Sequence, residues 1–153
     1  MKIKKVIAKV VKNSRKEDTI QVTIKTKFLK NFKTSAPSGK SKGKYEVKPY
    51  AISLKKDVNF INQLDINSIN NLGISGFEDL RAIEKLVARK IGGNSLFALE
   101  ASILKAVAGE NKQELYEFLG AGKKLPYLVG NAVGGGLHSV GKKGIRPDFQ
   151  EFL

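Results

Sequence analysis

The chain has 153 residues, no cysteine and a formal net charge of +14, which restricts its architecture and its chemistry. This length suits one domain or slightly more, and a hydrophobic content of 41% is typical of globular proteins. The lack of cysteine excludes disulfides, thiolate catalysis and cysteine-based zinc sites. The sequence shows neither a run of about 18 apolar residues, as a membrane span requires, nor a signal-peptide core, so we expect a cytoplasmic protein without membrane contacts.

The positive charge is confined to the first third of the chain. Residues 1–56 hold 17 basic and three acidic side chains, whereas residues 57–153 hold 11 of each. Such a basic region is the electrostatic signature of nucleic-acid binding. Lysine outnumbers arginine 24 to 4, however, and specific readers favour the bidentate contacts of arginine. A solvated lysine-rich face, a phosphorylated ligand and an acidic protein partner are therefore the other interpretations, and nucleic acid is the less expected partner.

The first third also predicts three β-strands that form an antiparallel meander. Residues 6–12 are β-branched and apolar with interleaved lysines, and residues 20–28 alternate with a period of two. The same alternation over residues 45–51 predicts the third strand. Pro49 lacks an N–H group for the ladder, so this strand is expected at an edge.

Helical periodicity replaces this alternation after residue 56. Amphipathic stripes with a spacing of three and four residues predict helices whose apolar faces form the core. Ser75 and Glu78 have the spacing of a capping box, ahead of a helix expected to reach Ile91. The other predicted helices begin at Asp57 as an N-cap, at Asn94-Ser95, and at Asn111 and Glu114.

The last 29 residues have a different character. Residues 125–133 are an apolar run, the glycine triplet 134–136 follows, and a second short apolar run ends the chain at residues 149–153. Two strand-like runs joined by a glycine-rich loop have no obvious partner among the predicted helices.

A basic loop in the first third invites comparison with a phosphate-binding P-loop, because residues 39–41 read Gly-Lys-Ser. The P-loop motif requires glycine where Thr34 stands and a helix directly after Ser41, and neither condition is met. Two interpretations remain: a solvated hairpin connection, or a mobile loop whose lysines 40, 42 and 44 close over an anion.

The only histidine and a nearby glutamate are the candidates for proton transfer. His138 follows the glycine triplet, which allows a ligand to approach the backbone closely, and Glu151 lies on the second strand-like run. A lone histidine is more often structural than catalytic. One histidine and one glutamate can move protons, but they cannot hold a divalent cation firmly.

Six stretches, in order along the chain, resemble the N-terminal part of enolase, the phosphopyruvate hydratase of glycolysis. Residues 13–22 are similar to the family's D-S-R-G-N-P-T-V-E-V, and residues 36–46 to its V-P-S-G-A-S-T-G-x-x-E loop. Residues 131–138 resemble N-x-x-x-G-G-x-H, and residues 150–152 resemble Q-E-F. The remaining two are residues 91–94 with the helix that follows, and residues 115–119. The glycine triplet and the Gly-Asn pair look more archaeal than bacterial.

The resemblance implies an α+β fold in two parts. Residues 1–124 would form the enolase N-terminal capping domain, a three-stranded antiparallel meander followed by helices. Residues 125–153 would form the first two strands and the glycine-rich loop of the catalytic barrel, which would be incomplete because a barrel cannot close on two strands.

The resemblance also implies roles for individual residues. Glu151 matches the glutamate that helps the hydroxyl group to depart, and His138 matches a histidine beside the substrate, so both are expected to be catalytic. Gln150 matches a neighbour of the substrate, and Ser41 matches the loop serine that ligates the second Mg²⁺ ion. Lys40 and Lys42 replace small or neutral residues of the family's loop, and as cations on the basic loop they are expected to bind the anionic substrate. The main carboxylate ligands of Mg²⁺ and the lysine base would lie on a missing C-terminal half.

We therefore expect the N-terminal half of a split enolase, which with a separate C-terminal half would interconvert 2-phosphoglycerate and phosphoenolpyruvate. The complex is also a candidate homo-oligomer, although Gln21 replaces a glutamate of the family's dimer contact. One alternative is a non-catalytic enolase-like module that binds an acidic protein or nucleic acid through its basic meander. Another is that the chain is a fragment of a longer enolase.

Overall fold

The computed structural model describes residues 1–28, 30–39, 43–120, 127–135, 149, 151 and 152, in two compact units, Met1–Ala121 and Gly122–Leu153. The predicted boundary after residue 124 falls outside the described residues, and the assignment of the units to capping domain and barrel stays a prediction. The first unit contains β1 (Ile3–Lys12), β2 (Asp18–Thr26), β3 (Asn31–Ser35), α1 (Leu54–Asn62), α2 (Ile66–Asn71), α3 (Leu80–Val87), α4 (Gly93–Glu110) and α5 (Leu115–Phe118); the second contains β4 (Val133–Gly134) and β5 (Glu151–Phe152).

The first unit is α+β, and its sheet is the predicted antiparallel meander in the order β1-β2-β3. The position predicted for the third strand, residues 45–51, is wrong, because β3 lies at Asn31–Ser35. The carbonyl groups of Lys48 and Pro49 instead accept hydrogen bonds from the amides of Gly93 and Asn94, at 2.9 and 3.0 Å. Residues 45–51 therefore satisfy their backbone at the start of α4 and not in a ladder.

The core lies between the inner face of the sheet and the helices. The alternation in β2 places Ile20, Val22 and Ile24 on one face, and all three are fully buried. Helix α4 crosses this face, where the Ser102 hydroxyl donates to the Val22 carbonyl at 3.0 Å. Further along, a Cβ atom on Gly109 would lie 2.3 Å from the Phe32 ring. Glycine at that position therefore lets α4 approach β3 closely.

Two asparagine side chains bind backbone groups on the outer edge of β1. Asn62 of α1 accepts from the Ala8 amide at 2.8 Å and donates to the Ala8 carbonyl at 3.0 Å. Asn70 of α2 makes the same pair of bonds with Ile3, at 2.8 and 3.0 Å. Each side-chain amide therefore takes the place of a neighbouring strand's peptide group, and β1 cannot offer these groups to another chain.

Two predicted helix starts are wrong. The N-cap of α1 is Ser53, whose hydroxyl accepts from the Lys56 amide at 3.3 Å, and Asp57 lies inside the helix and is buried. The predicted capping box of Ser75 and Glu78 is absent from this fully described segment. Instead the Asp79 carboxylate accepts from the Ser75 amide and hydroxyl, both at 2.8 Å, and these bonds lower the pKa of Asp79.

The remaining helices agree with the predictions more closely. Helix α4 begins at Gly93, next to the predicted start at Asn94, and α5 follows the predicted Glu114, which forms a capping box with Glu117. Helix α3 ends at Val87, four residues before the predicted Ile91. Helix α2 was not predicted. Among the described residues, no helix is long and apolar enough to cross a membrane.

The second unit contains a short antiparallel pair, β4 with β5, in which Val133 lies opposite Phe152 and Gly134 opposite Glu151. Within residues 127–135, the Ala132 amide donates to the Phe152 carbonyl at 2.8 Å, whereas Tyr127 and Leu128 are almost fully exposed. Strand β5 lies within the second predicted run, whereas β4 shares only Val133 with the first run and continues into the glycine triplet. Their membership of a barrel stays a prediction.

The two asparagines that bind the edge of β1 can be tested by substitution. We expect Asn62→Ala and Asn70→Ala each to lower the free energy of unfolding by about 1 kcal/mol, because each removes two hydrogen bonds that solvent replaces in part. Urea denaturation followed by circular dichroism would measure the change. Asn59→Ala, on an exposed position of the same helix as Asn62, is the control. Equal stability of all three variants would contradict the role assigned to the asparagines.

Candidate functional site

The loop that carries lysines 40 and 42 is held at its start by the turn between β1 and β2. The Arg15 guanidinium donates to the carbonyl groups of Ser38 and Gly39, at 2.7 and 3.4 Å, and its Nε lies 3.1 Å from the Glu17 carboxylate. Asn13 in turn accepts from the amides of Arg15 and Glu17, at 2.9 and 3.0 Å. Hydrogen bonds from Asn13 and Arg15 lower the pKa of Glu17. This turn therefore presents a fixed arginine to the loop.

Further contacts fix the residues just before this point. The Thr19 hydroxyl donates to the Ala36 carbonyl at 2.9 Å, and both residues are buried. The Ala36 amide donates to the Ile20 carbonyl at 3.0 Å, which continues the β2–β3 ladder by one residue. The Asn94 side chain, at the start of α4, donates to the Pro37 carbonyl at 3.4 Å. Residues 36–39 are therefore tied both to the sheet and to α4.

The segment after the loop is anchored separately. The Gly43 amide donates to the Glu46 carboxylate at 3.0 Å, and the Glu46 amide donates back to the Gly43 carbonyl at 3.2 Å. A Cβ atom on Gly92 would lie 2.3 Å from the Tyr50 Cα atom. Glycine is therefore required at residue 92 for the segment to lie against the start of α4.

A buried carboxylate holds this second anchor together. Asp57 is 1% exposed, and its carboxylate accepts from the Gly92 amide at 2.8 Å and the Ser95 hydroxyl at 2.7 Å. It also accepts from the Ala51 amide at 3.3 Å. The carboxylate thus joins α1, α4 and the loop's second anchor, and its charge lies at the positive end of the α4 dipole.

A cleft of about 180 Å³ lies between the two anchors. Its lining includes three carboxylates, although residues 1–56 as a whole are strongly basic. The lining residues are Glu17, Asp18, Ser38, Gly39, Glu46, Pro49, Tyr50 and Asn94. The predicted site residues Lys40, Ser41 and Lys42 lie outside the described residues. The cleft is therefore defined without those side chains.

The second unit contains the predicted catalytic Glu151. It lies on β5 opposite Gly134 and is exposed. A Cβ atom on Gly135 would lie 2.3 Å from the Phe149 carbonyl oxygen, so glycine is needed there for the two runs to approach each other. The rings of Phe149 and Phe152 pack edge to face with centroids 4.7 Å apart. The pairing of β4 with β5 thus places Glu151 beside the first glycine of the triplet, and its catalytic role stays a prediction.

The other predicted residues of this unit, His138 and Gln150, lie outside the described residues. Within the described part of the chain, no group of three or more histidine, aspartate or glutamate side chains could hold a metal ion. The described residues therefore do not form a Mg²⁺ site by themselves.

Sequence reasoning missed the residues that anchor the loop. Asp57 and Ile61 are four residues apart and hence share a helix face, so a carboxylate on the apolar stripe was the signal for a buried polar contact. Arg15 was noticed as part of a motif, but nothing in its local pattern indicates a contact with Ser38. Asn94 is predicted as a helix start and as part of a family motif, and neither pattern indicates its contact with Pro37.

A strongly perturbed carboxyl group lies elsewhere in the first unit, on α4. Partial burial, and then the nearby charge of Glu84, raise the pKa of Glu100 to about 7. Its Oε1 atom is buried and has no hydrogen-bond partner among the described residues. In the folded protein the neutral acid is therefore favoured at pH values below about 7.

The sequence is similar along nearly its whole length to the N-terminal part of enolase. It is 34% identical to the enolase of Methanothermobacter thermautotrophicus, over 99% of this chain and 37% of that enolase. The enolases of Methanocorpusculum labreanum and Anaplasma marginale are 30% and 28% identical, each over 99% of this chain and 38% of the relative. No family profile matches the chain. The chain therefore spans little more than a third of the length of these relatives, and their archaeal and bacterial sources leave the archaeal character a prediction.

The Asp57 contact yields a stability prediction. We expect Asp57→Asn to lower the free energy of unfolding by about 2–4 kcal/mol, because an amide nitrogen would replace one buried acceptor and face the donors of Ala51, Gly92 or Ser95. Urea denaturation would measure the loss, and hydrogen exchange at the Gly92 amide should become faster. Asp18→Asn, at an exposed ion pair with Lys12, should cost less than about 1 kcal/mol. A loss for Asp57→Asn no larger than this control would overturn the assignment.

Glu100 predicts a pH dependence. Because its pKa is about 7 in the folded protein and 4.5 by reference, its contribution to stability is fully present below pH 4.5 and is lost as the pH rises through 7. We expect Glu100→Gln to raise the free energy of unfolding at pH 8 by about 1 kcal/mol, after discounting for solvent screening of the half-buried group.

Urea denaturation at pH 8 and at pH 4.5 would test this. The gain should shrink at the lower pH, where the wild-type carboxyl group is already neutral. Glu78→Gln, at an exposed glutamate, should show no comparable pH-dependent gain. A gain for Glu100→Gln of equal size at both pH values would contradict the explanation.

Proposed function

Because this sequence matches the N-terminal part of enolases, we propose that the chain is the N-terminal half of a split enolase. A separate C-terminal chain would complete the catalytic barrel, and the complex would interconvert 2-phosphoglycerate and phosphoenolpyruvate. The observation that carries the proposal is the match over 99% of this chain to the front of a longer enzyme. The proposed activity is that of a carbon–oxygen lyase.

The proposal assigns the chemistry of this half to both units. Glu151 would assist departure of the hydroxyl group, with His138 and Gln150 beside the substrate. An exposed Glu151 on a strand pair fixed by Gly135 supports this role, because a proton-transfer group must reach its substrate. In the first unit, Lys40 and Lys42 would bind the anionic substrate.

The anchors of the basic loop support the second part of this assignment. Arg15 and Thr19 fix the residues before the loop, and Asp57 fixes the segment after it. A short stretch held at both ends loses less conformational freedom on binding than a free one. The lysines would therefore bind the substrate at a smaller cost in conformational entropy.

The proposed Mg²⁺ ion needs ligands from outside the described residues. Ser41 is the candidate on this chain, and one hydroxyl is insufficient for a hard cation that takes several oxygen ligands. Under this proposal the complementing chain supplies the carboxylates. The ion, when bound, would stabilise negative charge that develops on the substrate.

Exposed apolar side chains in the second unit support a partner chain. Tyr127 and Leu128 are 99% and 97% exposed, and Phe152 is 57% exposed. Large apolar side chains left in solvent support an interaction site when they lie together, and the proposal places these residues against the partner chain. A chain that completed the barrel would pair with β4 or β5 and cover these residues.

A complementation assay tests the proposal. The full chain would be mixed with the C-terminal part of the Methanothermobacter thermautotrophicus enolase, beginning where its match to this chain ends. We expect a complex on size-exclusion chromatography and Mg²⁺-dependent formation of phosphoenolpyruvate. Glu151→Gln should reduce the rate at least about 100-fold, as expected on loss of a proton-transfer group. Glu78→Gln, at an exposed position, should leave the rate unchanged.

The outcomes separate the proposal from its alternatives. A well-folded complex without activity would overturn the enzymatic claim. Steeply salt-dependent binding to polyanions by the inactive chain would then favour the basic binding module. The encoding gene separately distinguishes a split protein from a fragment of a longer enolase.

A further inference from the structure

The two edges of the three-stranded sheet are treated differently. The edge of β1 is covered in part, because Asn62 and Asn70 bind both backbone groups of Ala8 and Ile3. On the other edge, Val22 lies opposite Thr34, and the Ala36 amide donates to the Ile20 carbonyl. These two facts show which backbone groups of β3 form hydrogen bonds with β2. Even-numbered residues of β3 bond to β2, so the backbone groups of residues 31, 33 and 35 point outward.

Among the described residues, one contact reaches these outward groups. The Lys105 ammonium donates to the Lys33 carbonyl at 3.2 Å. The outward amides of Asn31, Lys33 and Ser35 have no hydrogen-bond partner in the described part of the chain. The edge of β3 can therefore accept the backbone of an added strand.

On the inner side of this edge, α4 presents a partly exposed apolar surface. Phe97, Ala101 and Lys105 are spaced by four residues and hence share one helix face, and the Lys105 contact shows that this face borders β3. Phe97 is 49% exposed, and Ala101 is half-buried. Alternate side chains of an added strand would cover Phe97 and Ala101, and their apolar surface would favour apolar residues there.

The outer side of the same edge is positively charged. Lys33 lies opposite Thr23, and Lys25 lies between Lys5 and Asn31 across the three strands. Opposite residues share a face, so four exposed lysines and no acidic residue occupy this face of the paired strands. The nine positions are Lys5, Ile7, Lys9, Gln21, Thr23, Lys25, Asn31, Lys33 and Ser35.

This charge decides which occupant fits. A second copy of the chain would bring its own Lys33 and a further +14 of net charge to the edge, which is repulsive. An acidic side chain opposite Lys33 would be attracted instead. We infer that the β3 edge binds an extended segment of a partner protein that alternates acidic and apolar residues, with the acidic ones beside Lys33 and the apolar ones over Phe97.

A designed peptide tests this inference on the full chain. The probe is the blocked peptide Thr-Glu-Val-Glu-Val-Glu-Thr, and its control replaces each glutamate with lysine. Titration followed by ¹H–¹⁵N NMR should shift the Lys33 and Ser35 amides most and slow their hydrogen exchange. We expect a Kd below about 1 mM for the acidic peptide and at least about tenfold weaker binding of the basic one.

Two variants separate backbone pairing from simple charge attraction. Lys33→Pro removes an outward amide that β2 does not use and should weaken binding at least about tenfold. Lys33→Glu keeps the amide and reverses the charge, and should weaken binding even if the proline variant does not fold. Lys9→Glu makes the same charge change on β1 and should have a smaller effect.

Three outcomes would overturn the inference: no saturation up to about 1 mM, equal affinity for both peptides, or largest shifts away from residues 31–35. Equal weakening by Lys9→Glu and Lys33→Glu would also overturn it, because the peptide would then respond to overall charge. None of these outcomes bears on enolase activity, so this inference and the proposed function stand or fall separately.

Discussion

The arrangement of the first unit depends on one buried carboxylate. Asp57 accepts hydrogen bonds from the backbone of Gly92 and from the Ser95 hydroxyl at the start of α4, and from Ala51 in the preceding segment. Burial of an ionised group is costly unless donors surround it, and here three donors and a helix N-terminus do so. Because Asp57 binds the Ala51 amide as well, the end of the segment 43–51 takes its position from where Asp57 holds α1 against α4.

That contact also explains what could and could not be predicted from the sequence. The alternation over residues 45–51 is genuine, but these residues bond to Gly93 and Asn94 and not to a strand. Periodicity describes which side chains share a face, and it does not identify the partner of a backbone group. The short β3, with only five residues, gave too brief a pattern to compete.

Local chemistry predicted the site only in part. The antiparallel order of the sheet, the start of α4 near Asn94 and the helix after Glu114 depend on neighbouring residues and agree with the predictions, whereas the predicted position of the third strand is wrong. The contacts of Arg15 with Ser38 and of Asp57 with Gly92 join residues 23 and 35 positions apart, which no local pattern contains. The roles of Glu151 and its neighbours came from the enolase resemblance and stay a prediction.

The different hydrogen bonding of the two sheet edges bears on why the first third of the chain is so basic. At β1, Asn62 and Asn70 each bind both backbone groups of one strand residue, and comparable side chains do not occur at β3 among the described residues. An open edge of an uncharged sheet would pair with its own copies. Lysines 25 and 33 oppose such pairing and still admit an acidic strand. The charge of residues 1–56 thus has two separable consequences. In the loop it would attract a small anionic substrate. Along the sheet it would repel a second copy of the chain and favour an acidic partner.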